Sequence, residues 1–320
     1  LRRIRSLRRE AVGQAYCSTA NLGAGFDCFG LALNKYSDRV QIRFTQLNKI
    51  RLAVKGAYSY GVPKDSNQNS AGPPAVALLE RARLKKGLFI TIDKNVPQGL
   101  GLGSSGATAA ACTKTLDHLL DLGLSDDELV RVASLGERAV AGTAHADNVG
   151  ASLLGGFVIV FDNPVRTISI KPPSKLRIVV ATPGLRPRRN KTRIARGLVP
   201  RRIETEKALL NVGRASAIAT GFSRGDIELI GAAMSDEIAE PRRSRLIPSY
   251  DNVKRLAFEA GASGVAISGA GPSLAALVDE TRHSPRMVSR AMVQGFAQKG
   301  VQASSFVARP APEARIVRSR

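Results

Sequence analysis

Tryptophan is absent from the 320 residues, and phenylalanine and tyrosine together make up only 5% of them. Proteins that hold RNA or single strands by stacking bases on aromatic rings need such side chains at intervals. The shortage speaks against that class. Cysteine is equally scarce: Cys17, Cys28 and Cys112 have neither the paired spacing of a metal ligand set nor the density of a disulfide scaffold. They are expected to be reduced thiols packed among small and apolar neighbours. No run of apolar residues approaches the eighteen or so of a membrane span, and the opening LRRIRSLRRE lacks the apolar core of a secretory signal. The expectation is a cytoplasmic protein without a membrane partner.

Acidic residues are also few, 26 against 48 basic ones, which leaves a formal charge of +22. Such an excess ordinarily marks a polyanionic partner. Here it is spread in arginine clusters at 2–9, 186–202 and 242–245 with ordinary sequence between them. A compositional bias accounts for that pattern as well as a ligand does, and no nucleic-acid partner is expected.

What is present reads as a folded chain. A 43% apolar and 23% charged composition is globular, and the length accommodates two domains. Residues 12–17, 39–44 and 50–54 alternate as half-buried strands, and 88–92 is a short β-branched run. Small and apolar residues then recur at helical spacing from Ser105 to Leu122, with Gly123 placed to end that helix. Ser125 and Glu128 form a capping box for a second helix to Ala141. Strands follow at 155–162 and 175–183, so a domain boundary falls near 163–174. Helices at 203–221, 225–238 and 250–261 precede a strand, glycine turn and strand in GVAISGAGPSLAALVD. The expected class is α+β, with domains at 1–165 and 166–320.

The chemistry concentrates in one turn. Gly99, Gly101 and Gly103 lie in PQGLGLGSSGA, just ahead of the helix that opens near Ser105. Glycines at these places let successive amides point inward, and the helix start adds its positive end, which together make a nest for phosphate. The segment lacks the Gly-Lys-Ser/Thr ending of a Walker loop, so no lysine within it reaches the terminal phosphates. A tight strand-to-helix turn without a ligand is the bland alternative.

Pro97 to Ala107, with the doublet Ser104-Ser105, resembles the signature of the galactose, homoserine, mevalonate and phosphomevalonate (GHMP) kinase superfamily. Three further segments occur in the same order and resemble its homoserine kinase branch. These are Cys17 to Asp27, then His145 to Val149 after Glu137, then Ser268 to Ser273. The resemblance spans about 12–280. It is archaeal-like in character. Cysteine at 17 in place of proline and Gly106 in place of alanine depart from the usual pattern while keeping side chains small.

The resemblance implies a two-domain fold: a ribosomal-protein-S5-like N-terminal domain and a C-terminal ferredoxin-like sandwich of helices on an antiparallel sheet. It implies ATP and Mg²⁺ as cofactors and transfer of the γ-phosphoryl group to the side-chain hydroxyl of L-homoserine. Asn69, Pro97, Gly99, Leu100, Gly101, Leu102, Gly103, Ser104 and Ser105 would then hold nucleotide. Ser105 and Glu137 would hold the metal. Asn21, Asp27, His145, Asp147, Asn148, Thr192, Arg196 and Arg243 would bind the acceptor, with the two aspartates facing its ammonium and the arginines its carboxylate. Asn21, Arg196 and Glu137 would serve transfer itself, with no dedicated base. A sister kinase for shikimate or mevalonate, or a non-catalytic nucleotide- or RNA-binding protein, is the alternative, and a homodimer is left open.

Overall fold

The structure, a computed structural model, describes residues 9–141, 146–185 and 191–320. The strands in chain order are β1 (Glu10–Ala20), β2 (Phe29–Thr45), β3 (Ile50–Lys55), β4 (Gly87–Asp93), β5 (Phe157–Phe161) and β6 (Arg166–Ile170), then β7 (Leu176–Pro183), β8 (Gly264–Ile267), β9 (Leu274–Asp279), β10 (Ala303–Ala308) and β11 (Arg315–Ser319). The helices are α1 (Gly72–Arg81), α2 (Ser104–Leu120), α3 (Asp126–Ala141), α4 (Asp147–Leu154) and α5 (Lys191–Gly197), followed by α6 (Thr205–Arg224), α7 (Ile227–Ala232), α8 (Glu240–Arg243), α9 (Tyr250–Glu259) and α10 (Pro285–Ala297).

The first sheet follows the order β11-β1-β2-β4-β3, with β5 and β6 joined at the far end of β2. Alternation along the strands decides its two faces. Val40 and Ile42 on β2 pair with Ile92 and Ile90 on β4, and all four point into the core beneath α1, α2 and α3. Small residues let α2 come close. Ala107, Ala109, Ala110, Ala111 and Cys112 are buried along it, and a Cβ added at Gly13 of β1 would lie 2.2 Å from Thr115 Oγ1 and 2.9 Å from Ala111 O. An alanine at 13 would overpack this contact at a cost of about 1–3 kcal/mol.

The second sheet runs β10-β7-β9-β8 and is antiparallel throughout. Counted from β7, that order is 4-1-3-2, the ferredoxin-like arrangement. A shared core joins the halves: Phe157 of β5 stacks on Phe222 of α6 at 3.8 Å between centroids and meets Phe29 edge-on at 5.1 Å. Each such pair adds about 0.5–1.5 kcal/mol beyond the area it buries. The elements that carry functional side chains from both halves are therefore held on one packed base.

Several expectations need correction. The boundary at 165/166 cuts the β5–β6 hairpin, because Arg166–Ile170 pairs with Phe157–Phe161, and β11 returns from the end of the chain to the first sheet. The helix expected over 225–238 stops at Ala232, since the Asp236 carboxylate takes the amides of Ile238, Ala239 and Glu240 and starts a new element. α2 ends on Asp121, which itself adopts the left-handed conformation at φ 51°, two residues before Gly123. Cys17 and Cys112 are buried, and burial pushes both thiols up to about 12. Cys28 is exposed instead. The capping box forms as read: Glu128 Oε2 accepts from Ser125 N at 3.0 Å, and Ser125 Oγ accepts from Glu128 N at 3.4 Å.

Candidate active site

The glycine turn sits where both halves meet. Gly99, Gly101 and Gly103 have φ of 69°, 80° and 60°, which a side chain adopts only with strain. Space is also lacking. A Cβ at Gly101 would lie 2.1 Å from Ser268 O, and one at Gly103 would lie 2.1 Å from Ser18 Oγ and 2.8 Å from Asn148 Oδ1. The turn is thus pressed between the loop after β8 and the end of β1. Ser268 Oγ donates to Gly101 O at 2.6 Å, and Ser18 N donates to Leu102 O at 3.2 Å. Among the described residues, the N–H groups of Gly101, Leu102 and Gly103 donate to no acceptor in the chain. They adjoin the first-turn amides of α2, which no helix can satisfy internally.

Beneath the turn lies a buried ion pair that no motif in the sequence marks. Lys94 Nζ donates to Asp38 Oδ2, to Thr108 Oγ1 at 2.8 Å and to Ser104 O at 2.5 Å, which uses all three of its hydrogens. Asp38 Oδ1 accepts the amides of Asn95 and Val96 at 2.8 and 2.9 Å, while its Oδ2 also accepts from Thr108 Oγ1 at 2.6 Å. Ser104 Oγ closes the loop onto Val96 O at 2.8 Å. Lys94 therefore fixes the start of α2 and is not itself offered to a ligand. Its signal was parity: Leu88, Ile90, Ile92 and Lys94 continue one inward-facing row, as do Asp38, Val40 and Ile42.

The second cluster gathers around Gly269. Its carbonyl oxygen accepts Asn21 Nδ2 at 2.8 Å and Arg243 Nη1 at 3.3 Å. Asn21 Oδ1 accepts the amide of Asp27 at 3.1 Å, and the Asp27 carboxylate forms an ion pair with Arg196. The loop is held in an unusual shape, with Asn21, Leu22 and Asp27 all at positive φ. α5 brings Arg196 in and is itself docked by Arg243 Nε, which donates to Ala195 O at 3.1 Å. Phe26, another residue not foreseen, has Arg243 at 4.8 Å and Arg196 at 5.4 Å from its ring centroid.

Electrostatics tie these groups to Asp147. Burial holds the Arg243 guanidinium below its ordinary range, with Asp27, Asp236 and Asp147 opposing that effect and Arg196 adding to it. The exposed Cys28 thiol is raised by burial of its surroundings and by the charges of Asp27 and Asp147. Asp147 is buried at the start of α4, where Oδ1 accepts Asn148 N at 2.7 Å. Asn148 Oδ1 accepts Ser18 Oγ at 2.9 Å beside Gly103. Arg243 depends on a further buried set: Asp236 caps α8, and Glu240 binds Tyr250 OH, Lys254 Nζ at 3.0 Å and Ile267 N at 3.2 Å. Glu240 thereby links α8 to the strand that leads into Ser268.

Glu137 and Asn69 adjoin residues that touch each other, Gly136 on α3 and Ser70 before α1. Glu137 is buried on α3, and its neighbour Gly136 packs so closely that a Cβ would meet Ser70 O at 2.2 Å and Ala109 Cβ at 3.0 Å. Ala109 is one helical turn beyond Ser105. Asn69 uses its side chain locally, donating from Nδ2 to Pro63 O at 2.7 Å and accepting Ala71 N at Oδ1 at 3.0 Å. That is turn chemistry. His145 and the side chain of Thr192 lie outside the described residues. Gln98 donates to Tyr58 O at 2.7 Å and Tyr60 O at 3.1 Å, which ties the turn to a loop no motif had marked.

A cation held here would find hard oxygen donors, the buried carboxylate of Glu137 and the partly exposed hydroxyl of Ser105. Among the described residues no group of three or more His, Cys, Asp or Glu side chains is placed to cage a metal. That donor set fits Mg²⁺, which keeps several waters and takes one or two protein ligands beside phosphate oxygens. Among the described residues no helix is long and apolar enough to cross a membrane.

Comparison with known proteins places these motifs in context. A family model described as the GHMP kinases N-terminal domain matches residues 71–156, and one described as GHMP kinases C-terminal matches 218–295. The chain is 41% identical over 272 residues to a homoserine kinase of Thermoplasma acidophilum, covering 85% of each chain. It is 39% identical over 297 residues to one of Haloarcula marismortui, covering 92% of this chain and 96% of that one. The crystal structure of a homoserine kinase from Cytophaga hutchinsonii superposes with a TM-score of 0.88 at 31% identity, over 98% of this chain and 99% of the other.

Proposed function

The chain belongs to the GHMP kinase family, and on that premise we propose that it transfers the γ-phosphoryl group of ATP to the side-chain hydroxyl of L-homoserine, giving O-phospho-L-homoserine. The observation that carries the acceptor is the cluster of Asp27, Arg196 and Arg243 around Phe26, next to Gly269. An amino acid presents an ammonium and a carboxylate a few ångströms apart. A carboxylate and two guanidiniums side by side are the matching set. The names of the similar proteins support the same acceptor.

The triphosphate lies along the free amides of Gly101, Leu102 and Gly103 and the start of α2, where aligned N–H dipoles favour negative charge. Ser105 and Glu137 would hold Mg²⁺, whose charge when bound offsets that of the β- and γ-phosphates. Asn69 shapes the 63–71 turn on the nucleotide side. Asn21, fixed by Gly269 and by the Asp27 amide, orients the acceptor hydroxyl. Arg196 meets charge that develops on the transferring group. Phosphoryl transfer passes through a loose transition state, so positioning and charge offset supply most of the catalysis, and a strong base is not required.

A coupled ADP-release assay over homoserine, shikimate and mevalonate tests this reading. Turnover with homoserine at least tenfold above the other two is expected. Preference for either of those would replace the acceptor while leaving the nucleotide site in place, and no ADP release with any of the three would remove the kinase reading.

A further inference from the structure

The first sheet has one face that no helix covers among the described residues. Its core side is closed by α1, α2 and α3, whereas the register of β1, β2, β4 and β3 lays three cross-strand rows on the opposite side. One row is Gln14, Arg39, Asp93 and Lys55; the next is Val12, Gln41, Thr91 and Ala53; the third is Glu10, Arg43, Phe89 and Arg51. A shallow concavity of about 420 Å³ lies among them, bordered by Arg39, Lys55 and Arg318.

The charge on this face is unbalanced. Arg39, Arg43, Arg51 and Lys55 are exposed, and among the described residues none of them forms an ion pair. Of the face's two acids, Glu10 pairs with Arg318 at 2.7 Å, while Asp93, whose Oδ1 accepts Asn95 Nδ2 at 2.9 Å, keeps its charge between Arg39 and Lys55, so the cations still outnumber the acids. With same-face rows four residues apart and the two cationic strands flanking β4, the four charges mark a rectangle of about 10 by 13 Å. A single small anion reaches one corner of it. A chain of phosphates reaches several.

We propose that this open face binds single-stranded nucleic acid through its sugar-phosphate backbone. The Arg43 guanidinium lies 4.7 Å over the Phe89 ring and so presents a flat, cationic plane on which a base can stack. A shallow sheet face suits a splayed single strand and does not enter a duplex groove. A second copy of the chain is the wrong partner, since it would set four like charges against four. A lipid surface is disfavoured because the middle row offers only Val12 and Ala53 for insertion. The aromatic shortage pointed away from nucleic acid, but the sheet register supplies by cations what stacking residues do not. β2 and β3 are separated by β4, so these cations become neighbours only through pairing.

The test is fluorescence anisotropy with labelled polyuridine and its DNA counterpart over a salt series, using the full chain. Neutralising four backbone phosphates of a single strand predicts a slope of log K against log salt of about −3. Changing Arg39, Arg43, Arg51 and Lys55 together to Gln should flatten that slope and weaken binding at least tenfold while kinase turnover stays as in the unchanged protein. A control with Arg224, Arg286, Arg290 and Lys299 changed to Gln should bind as before. Equal loss in both variants would mean that net charge alone attracts the oligonucleotide, and the proposal falls. It falls equally if no binding survives at about 0.15 M salt, or if anionic phosphatidylserine vesicles compete as well as unlabelled polyuridine.

Discussion

Arg196 and Asp27 neutralise one another across the acceptor cluster: the guanidinium on α5 engages the carboxylate that ends the loop after β1. Each is a candidate to face one end of a zwitterion, and each is the other's counter-ion in the structure. On the proposed reading, homoserine exchanges this pair for two new ones. Arg196→Ala should therefore raise the KM for homoserine by about 10- to 100-fold, the range of a lost charged hydrogen bond. The KM for ATP should move less than threefold. Steady-state kinetics with each substrate varied in turn decides it, and equal shifts in both constants would remove Arg196 from acceptor binding.

Glu137→Gln keeps the shape of a buried side chain and removes its charge. Turnover should fall by about 100-fold or more, since charge offset is a large term in phosphoryl transfer. The magnesium concentration giving half-maximal rate should rise, while far-ultraviolet circular dichroism stays unchanged. An unaltered magnesium dependence would return Glu137 to a structural role.

Gly103→Ala meets both strain and collision. The left-handed conformation costs a side chain about 1–2 kcal/mol, and Ser18 and Asn148 stand where the new methyl must go. ATP binding should weaken by about tenfold, read by titration with a non-hydrolysable analogue. Gly123→Ala has a comparable φ of 62° with open space around it. It should lose about 1 kcal/mol of stability and keep its nucleotide affinity.

Lys94→Met and Asp38→Asn probe the pair under the turn. Removing one partner of a buried ion pair costs about 3–5 kcal/mol, and the double variant should recover part of that loss. A coupling of about 2 kcal/mol is expected in urea unfolding. Strict additivity would show that the two side chains act separately.

Glu128 provides a pH signature away from the site. The Ser125 amide, then Arg81 and the Ser125 hydroxyl, hold its carboxyl at about 2, below its ordinary 4.5. A depressed folded value means that its contribution to stability is complete above 4.5 and fades as pH falls toward 2. Carboxyl-detected NMR should find that low midpoint, and Ser125→Ala should move it back upward.

Much of this was legible in the chain, for reasons that differ by element. Strand alternation exposed β2 and β3, because one face of each packs on the core and the other is wet, and β4 showed as a short β-branched run. The glycine turn was legible because the Ser104-Ser105 doublet after it completed a resemblance that glycine spacing alone left open. Lys94 escaped because motif reading looks for a lysine inside the loop, whereas this one acts from the strand below. Phe26 and the Asp236–Glu240 set escaped for another reason. Their roles arise from packing between α5, α8 and β8, segments that spacing alone cannot bring together. Asn69 was placed by resemblance, and the hydrogen bonds that occupy its amide come from its immediate neighbours.

The oxygen of Gly269 receives one donor from each half of the chain, Asn21 from the first and Arg243 from the second. Gly269 shares its half with Arg243, so a hinge motion that draws the halves apart parts the Asn21 bond alone and leaves Arg243 seated on the carbonyl.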